Sequence, residues 1–295
     1  MLSAGLLISS LWVNLQGQAI DPQVDTPVAL VCQASALAPC LTLLPPAVYT
    51  SLPNADRLLA SLGHRGAMAV PIQSGSLAGL VLMAPERLPA QIQTIVGGQS
   101  HRLELPRQQQ LTLWHELGHL HISSLPGSTS YSAWQHEVLA DLYLLWLAAR
   151  NEGDLQGGWQ QYHRRNLQLL NDIGHLSHWS VPVLFTALQT FTLQQLLAMS
   201  DFNDLIAQLA LFPGGSGWPE PDDLKEYASL TKRLFGTGSV QALPGYLYWR
   251  RERLGDWVAP SLQVLMGEQG AAQLMKEHAL GSENAASVGA QRNVW

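Results

Sequence analysis

From residue 107 onward, apolar positions recur with helical spacing almost to the end of the chain. The pattern predicts helices over 107–122, 132–150, 154–172, 181–199, 201–211, 221–235, 244–257, 260–268 and 270–279. Before residue 107 the apolar runs are shorter and β-like. They are "GAMAVPI" (66–72), "SLAGLVLMA" (76–84), "QIQTIVG" (91–97) and "HRLEL" (101–105), parted by turn sequences such as "QSGS" and "GGQS". A short helix is expected over 54–62, with Asn54 as its N-cap. The fold class implied is α+β: a small, mostly antiparallel N-terminal sheet packed on a helix pair, then a largely helical C-terminal part. The loop "FPGGSGWPEPDD" (212–223) ends in a Pro-Asp helix start. It separates a domain over 20–211 from a helical subdomain over 212–295. No internal repeat is visible.

Two of the predicted helices carry chemistry. In "LTLWHELGHLHI" (111–122), Leu113, Leu117 and Leu120 share one face. His115 and His119 lie one turn apart on another. Imidazoles at i and i+4 can reach one tetrahedral metal. Glu116 is offset by about 100°, so it borders such a metal without ligating it easily, where a general base belongs. Gly118 leaves the helix thin enough for another element to approach. Two residues past His119, His121 turns off the metal face.

The next helix offers the completing groups. "YSAWQHEVLADLYLLWLAAR" (131–150) starts with Ser132 and Gln135 in capping-box spacing. From Val138 to Ala149 it is apolar except for Asp141 and Tyr143, so it must be buried nearly all round. Glu137 and Asp141 are four apart, on one face. A buried carboxylate pair is costly without cations, and no Lys or Arg occurs in 132–149. A metal with its histidines is the simplest neutraliser. Glu137 is therefore expected as third ligand, and Asp141 as acceptor for the free N–H of His115. The loop "SSLPGSTS" (123–130) has the length of an antiparallel return, which brings Glu137 beside His119. His136 points elsewhere on its helix. Carbonyl chemistry also needs a donor for the oxyanion; the candidates are Tyr131, His175 and His178. Tyr246 and Tyr248 read as interface or core aromatics.

His115-Glu116-x-x-His119, followed by Glu137-x-x-x-Asp141, resembles the gluzincin metallopeptidases, the thermolysin-like clan. "HELGHLH…EVLADLYLLWL" is also similar to the small ImmA/IrrE-type peptidases. The match covers residues 107–150, about one seventh of the chain. A metzincin would place glycine and histidine at positions 122 and 125, which are Ile122 and Leu125. The resemblance implies one zinc ion per chain on His115, His119 and Glu137. It implies Glu116 as catalytic base of an endopeptidase acting on peptide or protein substrates. An edge strand within 91–105 is expected to hold extended substrate by main-chain bonds. Two competing readings are a latent regulatory protease with a single protein target and a non-catalytic, zinc-stabilised scaffold. Glu116 argues against the scaffold, because a structural site closes with four ligands and needs no base.

Composition narrows the setting. The chain is 47% hydrophobic and 13% charged, a globular balance. A net charge of -6 gives no basic field for nucleic acid. The runs "HRR" (163–165) and "WRRER" (249–253) read as solvated helix faces. Residues 1–19 resemble a secretory signal or weak anchor: an apolar run from Leu2 to Val13, then "GQA". The same run also reads as a buried strand or helix. An export signal places the protein in the periplasm or outside the cell, with membrane contact only through an uncleaved N-terminal segment; the alternative is the cytoplasm. Cys32 and Cys40 in "CQASALAPC" are expected to form a disulfide in an exported chain and to be free thiols in a cytosolic one. Their spacing does not suit a zinc knuckle.

Overall fold

The computed structural model describes residues 11–14, 28–236 and 244–281. β1 (Leu11–Asn14) and β2 (Val28–Gln33) precede three short helices, α1 (Leu37–Leu41), α2 (Pro46–Ser51) and α3 (Ala55–Leu62). Two hairpins follow: β3 (Ala67–Ser74) with β4 (Leu77–Met83), and β5 (Gln91–Val96) with β6 (Gln99–Glu104). The remainder is helical: α4 (Gln108–Ser124), α5 (Ala133–Glu152), α6 (Gln156–Asn171), α7 (Val181–Thr190), α8 (Leu193–Ala198), α9 (Phe202–Gln208), α10 (Pro221–Phe235) and α11 (Arg251–Glu277).

The larger sheet has the order β1-β2-β4-β3. β2 and β4 run parallel; the other neighbours are antiparallel. β1 falls inside the segment read as a leader and pairs with β2 from Leu11 opposite Val31 to Asn14 opposite Val28. The rest of that segment lies outside the described residues. β4 is buried along its whole length, which explains why its sequence is a continuous apolar run and not an alternation. Leu80 and Leu82 pack with Leu30, Leu37, Leu41 and Leu58 under the three short helices. Val81 and Met83 join the core that holds α4 and α5. The Cys32–Cys40 disulfide ties the end of β2 to α1 inside the smaller core.

α4 packs on β3 and β4. Gly79 makes this possible, since a Cβ there would sit 2.5 Å from both Leu120 Cδ2 and the Val70 carbonyl oxygen. α5 is the central helix, buried at every residue from Val138 to Ala149. Its capping box is formed by Ser132 and Gln135, and Asn54 caps α3 by accepting from Arg57 N. Among the described residues no helix is long and apolar enough to cross a membrane.

Local chemistry shifts some helix boundaries. The stretch predicted as one helix over 181–199 breaks after Thr190, and Thr192 caps a new helix through the Gln195 N–H. Over 244–279, a 3₁₀ segment, Gly245–Arg250, leads into α11, which continues through Pro260 and kinks at Gly267, where φ is 76°. Leu224, Tyr227, Leu230, Trp257 and Leu262 belong to the same core as Leu117 and Val138. The apolar interior thus crosses position 212 without a break.

Candidate metal centre

The centre is set by how closely α4 and α5 approach. A Cβ on Gly118 would lie 2.9 Å from Ala140 Cα, and 3.1 Å from both the Ala140 carbonyl oxygen and Tyr143 Cβ. Backbone therefore meets side-chain base at this crossing. His115 and His119 flank Gly118 on α4, and Glu137 lies one turn before Ala140 on α5. The crossing brings all three level.

Among the described residues, His115, His119 and Glu137 are the one group of ligand-type side chains close enough to share a metal ion. The two Nε2 atoms are 3.1 Å apart. Glu137 Oε2 is 3.3 Å from His115 Nε2, and its Oε1 is 3.4 Å from His119 Nε2. Zinc ligands at about 2.0–2.1 Å in a tetrahedron stand about 3.3 Å from one another. Each of these distances is near that edge length, with Glu137 turning a different oxygen to each histidine, and two imidazoles with one carboxylate suit zinc.

Asp141 anchors the group from beneath and is fully buried. Its Oδ1 accepts from His115 Nδ1 at 2.7 Å, from Gln161 Nε2 at 2.7 Å and from Arg165 Nη2 at 3.0 Å. Its Oδ2 accepts from Arg165 Nε at 2.8 Å and from Ser180 Oγ at 2.5 Å. Holding the His115 proton on Nδ1 leaves the Nε2 lone pair for the site. Arg165 Nη2 also reaches Glu137 Oε2, at 3.4 Å.

These contacts set the charges. Burial alone would lower the His115 imidazole, but Asp141 and Glu137 outweigh it and raise it to about 9. Burial pushes the Glu137 and Asp141 carboxyls up, yet His115, His119 and Arg165 hold Glu137 well below the usual carboxylate range, and Arg165 and His115 do the same for Asp141. A metal on Nε2 must displace the extra proton from His115, so binding and proton release are linked.

Glu116 lies between the two histidines in sequence, partly exposed. Its carboxylate is close enough to raise Arg165 electrostatically, and among the described residues it has no hydrogen-bond partner. Of the oxyanion candidates, His178 reaches the group: its Nε2 is 3.7 Å from Glu137 Oε1. Ser177 Oγ lies 2.9 Å from His178 Nδ1. A hydroxyl donating there leaves the proton on Nε2, toward Glu137. Desolvation lowers the His178 imidazole against the pull of Glu137, which favours a neutral N–H donor near pH 7. His175 is exposed on the same 3₁₀ segment. Tyr131 packs its ring on His136 and Trp218. His136 Nε2 bonds the Ser128 carbonyl, and His121 stacks on Tyr143 beside Phe202. Tyr246 and Tyr248 are exposed.

One expectation is overturned. "HRR" is not a solvated face: His163 and Arg165 are buried, and Arg165 is the cation that 132–149 lacks. Gln161 and Ser180 were also missed as partners of Asp141. The available signal was Gly157-Gly158 at the start of α6. A Cβ on Gly158 would lie 2.4 Å from Leu145 Cδ1, so α6 too approaches α5 closely and buries its polar residues. Comparison with family models, curated proteins and solved structures finds no match for the chain.

Proposed function

We propose that the protein is a zinc-dependent peptidase of gluzincin type. The observation that carries this reading is the unpartnered Glu116 carboxylate next in sequence to His115, in a group of two histidines and a glutamate close enough to share one metal ion. A zinc ion supplies Lewis acidity, acidifying water and polarising a carbonyl. Glu116 accepts the proton of the attacking water and returns it to the leaving amine, so a C–O bond forms as the C–N bond breaks. His178 Nε2–H donates to the developing oxyanion. Asp141 keeps the His115 tautomer fixed, and Arg165 keeps Asp141 and Glu137 ionised.

The Cys32–Cys40 disulfide supports an exported protein, since such bonds persist in oxidising compartments. The test is Glu116→Gln. The expected variant retains one zinc per chain by elemental analysis and loses cleavage of a peptide library by about 10²–10⁴-fold. Full zinc with undiminished cleavage would show that Glu116 is not the base. A wild-type protein that takes up no zinc would remove the reading altogether.

A further inference from the structure

α6 carries a second polar face. Gln160, Arg164 and Asn171 fall within an arc of about 40° on the helix, and α6 packs on β5. Asn171 donates to the Gln93 carbonyl at 2.7 Å, which pins one end of the seam. At the other end Gln160 Oε1 accepts from Arg107 N at 3.4 Å. Between these ends, polar atoms lack partners. Thr94 Oγ1 on β5 is buried and unbonded, and so are Gln160 Nε2 and Gln168 Oε1. Thr94 is 3% exposed and Gln160 9%. His101, the cross-strand neighbour of Thr94, turns toward α11, its Nδ1 3.3 Å from the Leu265 carbonyl. Buried polar atoms are nearly always bonded in folded proteins, so the Thr94 hydroxyl and the Gln160 amide N–H call for an acceptor that the described residues do not supply, and Gln168 Oε1 calls for a donor.

Arg164 lies on the same face of α6, between Gln160 and Asn171. Arg165 has both Asp141 and Glu137 as partners; Arg164 has neither. Among the described residues its hydrogen bond is a long one, from Nη1 to Gln161 Oε1 at 3.4 Å. Burial and the adjacent Arg165 lower it to about 10, against the attraction of Asp141 and Glu137. A half-buried guanidinium without a counter-ion is a ready site for a carboxylate, which it grips with two parallel N–H bonds. The Thr94 hydroxyl and Gln160 amide add donors of the same polarity.

We propose that Arg164, with Thr94 and Gln160, forms a subsite for a substrate carboxylate beside the metal group, and that this carboxylate is the C-terminus of the peptide. The substrate class rests on the peptidase reading; the subsite itself does not. The links Arg164–Gln161, Gln161–Asp141 and Asp141–His115 measure 3.4, 2.7 and 2.7 Å. These buried links bound the straight separation between the subsite and the ligand histidines at on the order of 10 Å, a distance that a peptide passing over the open side of the group spans with about three extended residues. Cleavage is then expected two or three residues from the C-terminus.

One peptide in three forms tests this: a free C-terminal acid, the C-terminal amide, and the amide with glutamate near its end. Each is assayed for cleavage by zinc-loaded protein and, fluorescently labelled, for binding to metal-free protein. The acid should exceed the amide roughly 10- to 100-fold in both assays, the range for hydrogen bonds to a charged group. Arg164→Gln should abolish that preference, and Arg164→Lys should restore part of it. Thr94→Val, nearly isosteric, should reduce it and carries the test if Arg164→Gln fails to fold. A glutamyl amide that matches the acid would keep the carboxylate subsite and overturn the C-terminal assignment. Equal handling of acid and amide would overturn the subsite and leave the peptidase reading standing. Preference in binding with no cleavage of any form would do the reverse. Neither binding nor cleavage would remove both.

Discussion

Gly118→Ala is the sharpest probe of the helix crossing, because two effects of known sign oppose each other there. In an open helix this change stabilises by about 0.8–1 kcal/mol through backbone entropy. Here the new methyl meets Ala140 Cα at 2.9 Å and two further atoms at 3.1 Å, well inside the usual carbon contact of about 3.5–4.0 Å. Neither backbone atom of Ala140 can swing aside. α4 and α5 must separate by about 0.5–1 Å, and overpacking of this kind costs about 1–3 kcal/mol. The net expectation is a loss of up to about 2 kcal/mol in urea denaturation of the metal-free protein. The effect on metal is larger. His115 and His119 move with α4 and Glu137 with α5, so the 3.3 and 3.4 Å edges stretch together. Metal sites tolerate about 0.2 Å in ligand distance. Zinc affinity, measured against a competing chelator, should fall at least 10-fold. Gly245→Ala, where nothing lies within 4 Å, serves as control. A Gly118→Ala protein that gains about 1 kcal/mol and binds zinc as before would show that the helices do not touch there.

Two further outcomes follow from the same contacts. In the metal-free protein the His115 contribution should fall with rising pH: its folded value, about 9, lies above its unfolded 6.5, so the contribution is complete below pH 6.5 and disappears as pH rises through 9. Burial lowers His121, His136, His178 and His278, which act in the opposite sense, so the measure is the stability gap between wild type and His115→Gln: it should be larger at pH 6 than at pH 9 by on the order of 3 kcal/mol, and an equal gap at the two pH values would refute it. Replacing Cys32 and Cys40 by alanine opens a loop of sequence separation 8 and should cost about 2–3 kcal/mol; an unchanged melting temperature would mean that the bond constrains nothing.

The sequence disclosed some of this directly and some not at all. Gly118, the His115/His119 spacing and the apolar run of α5 all act through local periodicity, which is visible in one helix at a time. The pairing of Asp141 with His115 was also accessible, because a buried carboxylate must find a donor. Arg165 was not. It lies on a different helix from both carboxylates, and a basic run looks the same whether it faces water or a buried acid. What decides is the Gly157-Gly158 pair that lets α6 close on Leu145, a long-range fact. β1 lies in a run read first as a leader, with a buried strand or helix as the alternative, and β2 was passed over because its apolar stretch is short and irregularly flanked. The parallel β2–β4 pairing depends on a connection through three helices that no local pattern encodes.

Charge explains why neighbouring arginines on α6 are given different work. Glu137 and Asp141 bring two negative charges to one face of α5. In the metal-free protein they face the His115 imidazolium and Arg165, and these charges balance, with Arg164 unpaired beside them. Arg165 is held by Asp141 and Glu137 and is not free to leave them. A buried pair of this kind contributes more to position than to stability, since desolvation offsets most of the attraction. A divalent ion on His115, His119 and Glu137 would expel the His115 proton and leave one positive charge in excess. That excess cannot be discharged by Arg165, which is already paired. On the proposed subsite an anion held by Arg164 would meet that excess, so metal loading and carboxylate binding should each strengthen the other.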